Sequence, residues 1–235
     1  MKLLQTLAIA AMSLTAFGSQ AASSYLFDNP ENHTYLGARV SLDIASAANG
    51  GGQYSNGAGF SVGAVYNIPV YRNLYVEPGL SLFYNTVGTS RWYEVDPDAA
   101  EEEGVDPALY QIDGSIRNFG FRIPLLVGYH CDFTEVLKVH VFTGPQLNLS
   151  LVSRYHQDAV RVPGYEEGEW STSLFGTKGF KHADLQWAFG AGLEYGRYYL
   201  GLSGAVGITD MKSASGVLDR DLRRNQFAIS LGYNF

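Results

Sequence analysis

Apolar and polar residues alternate along most of this chain, most cleanly in 225–235. There Phe227, Ile229, Leu231, Tyr233 and Phe235 alternate with Gln226, Ala228, Ser230, Gly232 and Asn234. A period of two puts the sets on opposite faces of a strand, and the faces then meet different surroundings. Earlier segments repeat the pattern. Segment 34–45 sets Leu36, Val40, Leu42 and Ile44 against Gly37, Arg39, Ser41 and Asp43, and 57–68 sets Phe60, Val62, Tyr66 and Ile68 against Gly59, Ser61, Gly63 and Asn67. Segment 74–86 sets Leu74, Val76, Leu80 and Leu82 against Glu77, Gly79, Ser81 and Asn85. Segment 117–130 sets Phe119, Phe121, Ile123 and Tyr129 against Gly120, Arg122, Gly128 and His130. The same reading predicts strands over 138–152, 183–195, 198–208 and 223–235.

The connections alternate as well. Short ones fall near 69–73, 131–137 and 196–197, and long ones near 46–56, 87–116, 153–182 and 209–222. Short turns on one side and long loops on the other predict an all-β fold, a closed antiparallel transmembrane β-barrel of eight strands in a bacterial outer membrane. Apolar residues then face lipid, and Arg39, Asp43, Glu77, Arg122, Asp184 and Glu194, with His130 and His140, face the lumen. Tyr66, Tyr129, Tyr195 and Tyr233 precede the short turns or the chain end, and Phe60, Phe119, Trp187 and Phe227 stand near the other ends of the same strands. These eight are the expected aromatic girdles at the two interfaces. Tyr233 and Phe235 are the expected C-terminal insertion signal, read by the barrel assembly machinery.

Pro78, Pro124 and Pro145 fall inside expected strands, and each lacks the N–H that a closed ladder needs. Bulges or strand ends are expected there. Ten strands is the alternative count, with extra pairing inside 87–116 or 153–182.

Lys2, the apolar run 3–17 and Ser19-Gln20-Ala21 read as a signal peptide over 1–21, leaving residues 22–235 as one barrel domain of about 214 residues. The near-neutral hydropathy does not separate a barrel from a soluble secreted protein. The 27 Gly and 16 Tyr favour the barrel, since Gly suits crowded lumen positions and Tyr suits interfaces. A net charge of -7 with no basic stripe argues against nucleic acid. The single Cys131 forms no internal disulfide.

Further residues carry a resemblance. Tyr35-Leu36-Gly37-Ala38-Arg39-Val40, Arg122-Ile123-Pro124-Leu125-Leu126-Val127-Gly128-Tyr129, Phe142-Thr143-Gly144-Pro145-Gln146, Phe189-Gly190-Ala191-Gly192-Leu193-Glu194-Tyr195 and the 225–235 end resemble the PorT-like outer membrane β-barrel family of Bacteroidetes-type bacteria. The resemblance covers nearly the whole chain after residue 21. It implies an eight-stranded barrel of the OmpA/OmpX architectural type. The founding member is linked to protein secretion, but the shared residues build barrels, so that role does not carry over.

Chemistry is sparse. An eight-stranded barrel has a lumen that side chains fill, so the inward charges read first as a satisfied core and second as an ion path. Glu77 and Arg122 share an inward phase on adjacent strands, so an ion pair between them is expected. The run Asp96, Asp98, Glu101, Glu102, Glu103, Asp106 matches no calcium-loop spacing and reads as a solvated segment. His156 and His182, with Asp158, Glu166, Glu167 and Glu169 between them, would need to converge to hold a metal or serve a hydrolase. No phosphate loop, Cys cluster or nucleophile elbow is present, so no catalytic residue, cofactor or metal is expected. Trp92, Tyr93, Tyr110, Tyr155, Tyr165 and Trp170 lie in the long connections, where they either bind an extracellular ligand or pack between hairpins.

The function expected is a filled barrel with a structural and surface-interaction role through its long loops, in contact with outer-membrane lipid. A narrow channel or transporter, an outer-leaflet enzyme and a secretion-associated barrel are the alternatives.

Overall fold

The computed structural model describes residues 34–48, 54–94, 109–162, 165–175, 180–211 and 223–235. The expected signal peptide 1–21 and the acidic run 96–106 lie outside these residues. Eight long strands close into one ring. They are β1 (Tyr35–Ala48), β3 (Gly57–Tyr71), β4 (Leu74–Glu94), β5 (Leu109–Asp132), β6 (Leu137–Gln157), β10 (Ala183–Tyr195), β11 (Tyr198–Gly207) and β12 (Arg223–Asn234). Sequential members pair antiparallel, and β12 returns to pair with β1. The strand count is therefore eight. Among the described residues, the segments offered for extra staves either prolong existing ones or form short strands outside the ring. β4 and β5 stay paired out to Glu94 opposite Leu109. Short strands decorate the long-loop rim: β2 (Tyr54–Ser55) on β4, the hairpin of β7 (Val160–Val162) and β8 (Tyr165–Glu167), and β9 (Trp170–Ser173) on β6.

The turns at the opposite end are tight. Gly196 adopts φ 60°, a left-handed conformation that suits glycine, and so lets β10 reverse directly into β11. Arg72 takes φ 49° in the equivalent turn between β3 and β4.

Alternation fixes the register. Val40 stands opposite Leu231 on one side and Val62 on the other, so apolar rows run outward around the ring while Ser41 faces Ser230 and Ser61 inward. The outer face is open and apolar: Leu42 is 70% exposed and Leu231 63%, while Asp43 behind them is 2% exposed. Water cannot solvate a continuous apolar belt of this kind without large cost, whereas lipid can.

The prolines correct an expectation. None of the three sits at a bulge or a strand end. The ladders skip two pairs beside Pro78, Pro124 and Pro145 and resume in the same register. Pro78 pairs with Leu125, next to Pro124, and Pro124 pairs with Gln146, next to Pro145. The missing N–H groups thus form one diagonal band across three neighbouring strands. The register shifts fall elsewhere, at Pro69/Tyr71 and at Phe119/Gly120. At the second, Leu151 and Val152 both face outward, which turns Ser153, Tyr155 and Gln157 inward.

Candidate functional site

The lumen holds two polar layers. In the middle one Arg122, on β5, donates from Nη2 to Asp43 Oδ2 at 2.9 Å and to Gln226 Oε1 at 2.7 Å. Its Nη1 reaches Ser61 Oγ at 3.2 Å and its Nε reaches Asn148 Oδ1 at 3.3 Å. Beside it Arg224 Nη2 donates to Asp184 Oδ1 at 2.8 Å, and Gln186 donates to the other oxygen of Asp184 at 3.0 Å. Both guanidinium groups pack on the ring of Phe83, Arg122 at 5.4 Å and Arg224 at 5.1 Å from its centroid. Two arginines and two aspartates make this layer neutral, as burial of charge demands.

The expected Glu77–Arg122 pair does not form. Arg122 stands opposite Ser81, four residues along β4 from Glu77, and its carboxylate comes instead from Asp43, three strands away around the ring. Glu77 instead faces Asn67, Arg39 and His140.

The second layer closes the short-turn end. Arg39 Nη1 donates to Asn234 Oδ1 at 2.8 Å, and Asn234 Nδ2 donates to Glu194 Oε2 at 2.7 Å. His140 Nε2 lies 3.4 Å from the same carboxylate oxygen. Arg39 sits 4.1 Å over the ring of Tyr199, and Tyr75 packs against His130 and His140 at 6.2 and 5.6 Å, with the two imidazoles 5.9 Å from each other. Glycines make room for these large groups. A Cβ on Gly192 or Gly201 would strike the Tyr199 ring at 2.6 or 2.7 Å. Tyr75 and Tyr199 escape the sequence reading, which groups residues by polarity. The signal that could have found them is the inward glycines they lie across, Gly128, Gly192 and Gly201. Between the layers is a cavity of about 110 Å³, lined among others by Arg39, Glu77, Arg122 and Gln226. A cavity of this size has room for water where these polar groups face it.

An apolar cap fills the long-loop mouth. Ala45, Val87, Ile116 and Tyr155 point in from the staves, and Leu174, Phe180 and Met211 descend onto them from the connections. Backbone bonds from Phe180 to Leu174 and from Lys181 to Met211 tie the cap together. Tyr155 is buried, with its ring centroid 5.4 Å from that of Trp170. These two rings belong to packing at the mouth. Trp92 and Tyr93 lie on β4, Tyr110 on β5 and Tyr165 on β8.

On the outer face Phe60, Phe119, Tyr129, Trp187, Tyr195 and Phe227 are each at least 40% exposed, and Tyr66 and Tyr233 are half-buried there. Trp187 Nε1 donates to Thr143 Oγ1 at 2.8 Å. Tyr233 packs on Tyr198 and on Phe235 at 5.6 and 5.1 Å.

The remaining candidates stay apart. His156 Nε2 lies 3.1 Å from Glu169 and 3.6 Å from Asp158. His182 stacks on Phe175 at 3.8 Å and its Nδ1 meets the Ser150 carbonyl at 3.1 Å. The two histidines do not converge, and among the described residues no group of three or more His, Cys, Asp or Glu is arranged for a metal ion. Cys131 is an exposed free thiol.

A family model for the outer membrane protein beta-barrel domain matches residues 23–212. Among solved structures, the attachment invasion locus protein Ail of Yersinia pestis, in complex with the heparin analogue sucrose octasulfate, is similar at 14% identity over 86% of this chain and 99% of that one, with TM-score 0.36. Neisserial surface protein A is similar at 14% identity over 86% and 95%, with TM-score 0.39. The outer membrane enzyme PagL is similar at 10% identity over 82% and 98%, with TM-score 0.35. Likeness at this level speaks to neither ligand nor activity. No curated protein sequence matches the chain.

Proposed function

This chain belongs to the outer membrane protein beta-barrel domain family, and we propose that it serves as a sealed platform for its extracellular loops rather than as a passage. It resides in the bacterial outer membrane, with lipid against its apolar face. The observation that carries the proposal is the stacking of three obstructions along the lumen: the Arg39–Asn234–Glu194 layer, the Arg122–Asp43 layer and the cap around Tyr155. Opening a path would strand buried charges or uncover the cap, and either costs several kcal/mol. The long strands β4, β5 and β6 support the rim as a rigid mount, and loops on such mounts carry binding. The partner of the loops would be an extracellular ligand. The strand end at Tyr233 and Phe235 would be what the assembly machinery reads during insertion. Placement in the PorT-like branch rests on the sequence resemblance alone.

A non-enzymatic role is part of the proposal. His156 is an acid–base group on the rim, but both carboxylates crowd its Nε2 and, among the described residues, no hydroxyl hydrogen-bonds the ring. It is therefore not set to take a proton from a nucleophile. The channel alternative draws on the cavity between the polar layers, which is bounded above and below by Arg122 and Arg39. Planar-bilayer recording of the refolded full chain separates the two. A sealed platform gives no steady unitary conductance; sustained steps would overturn it.

A further inference from the structure

Arg117 and Arg154 are direct cross-strand partners on the outer face of β5 and β6. Both are exposed, and neither has a hydrogen bond or ion pair among the described residues. Directly opposed side chains start only about 5 Å apart at Cβ, and like charges so placed repel. A pair of this kind is destabilising unless an anion sits against it.

The surroundings specify the anion. Two residues toward the periplasm on the same face are Phe119 and Val152, themselves opposed, 40% and 44% exposed. They mark the top of the apolar belt. At about 3.3 Å per residue, the arginines begin some 7 Å beyond it, at the level of lipid headgroups. The row continues sideways with hydroxyls: Thr86 stands opposite Arg117 and Ser173 opposite Arg154. Two residues further out come Ser115, His156 and Ser171, and the carboxylates of Asp158 and Glu169 lie on His156 rather than on the arginines. Outward from the membrane the order is apolar, guanidinium pair, imidazole, carboxylate. An anion reaching the arginines from solution passes the carboxylates, whereas one carried on a lipid arrives from the apolar side.

We infer that Arg117 and Arg154, flanked by Thr86 and Ser173, form a binding site for the phosphate of an outer-leaflet lipid headgroup. Guanidinium groups suit this ligand because their paired N–H donors match phosphate oxygens. The site rests on the membrane placement but not on the sealed lumen, so a conducting barrel would leave it standing.

The test titrates the refolded full chain in octyl glucoside with short-chain phosphatidic acid. Saturable binding is expected, about tenfold weaker in R117Q/R154Q, the loss that one charge-assisted hydrogen bond represents. R197Q, in a periplasmic turn, should bind as the unchanged chain does. Inorganic phosphate or hexaglutamate at matched concentration should not compete. Equal binding by R117Q/R154Q, or displacement by either competitor, would overturn the assignment. Should the double variant fail to refold, R154Q alone decides by the same comparison.

Discussion

Two pairs of arginines stand on this barrel in opposite circumstances. Arg122 and Arg224 are buried, share the Phe83 ring, and each has an aspartate within 2.9 Å. Arg117 and Arg154 lie on the outer wall with no protein partner among the described residues. The difference is one of solvent. In the lumen the protein must supply every counter-charge itself, because burial of an unpaired guanidinium costs several kcal/mol. On the outer wall the surroundings supply it, so the fold leaves the arginines free to meet a lipid. The same side chain is a structural strut in one place and a contact for the membrane in the other.

Breaking the buried pair should have the largest effect. Asp43→Ala leaves Arg122 without its carboxylate and should cost about 3–5 kcal/mol in urea unfolding from lipid vesicles. Replacing both partners by apolar groups sharpens the point: D43L/R122M should lose less than D43A, since removing both charges removes the uncompensated one. A double variant as unstable as the single would mean that Ser61, Asn148 and Gln226, not the ion pair, dominate the layer. The outer pair should show the smallest effect. R117Q/R154Q should leave unfolding in neutral phosphatidylcholine vesicles within about 0.5 kcal/mol, as exposed substitutions do.

The strands were legible because a period of two separates lipid from lumen residue by residue. Leu42 and Asp43, adjacent in sequence, already declare opposite faces. Partner choice across the lumen was not legible. Phase says that Arg122 and Glu77 both point inward, but register along β4 and β5 and curvature around the ring decide who meets whom, and these brought Asp43 to Arg122. Local pattern also missed the phase change at Phe119/Gly120, where one extra residue on β6 turns Tyr155 from an expected loop aromatic into part of the cap. The outer arginines were invisible for the same reason: Arg117 and Arg154 are 37 residues apart and become neighbours only through the β5–β6 register.

The central claim is that lipid touches one face of each stave and the protein fills the other. Single nitroxide labels placed along 226–231 of β12, in a Cys131→Ser background reconstituted in bilayers, test it most directly. Accessibility to oxygen, which concentrates in lipid, should peak at 227, 229 and 231 and fall at 226, 228 and 230. Oxygen access at the even positions, or a water-soluble nickel chelate reaching 227, 229 and 231, would contradict it.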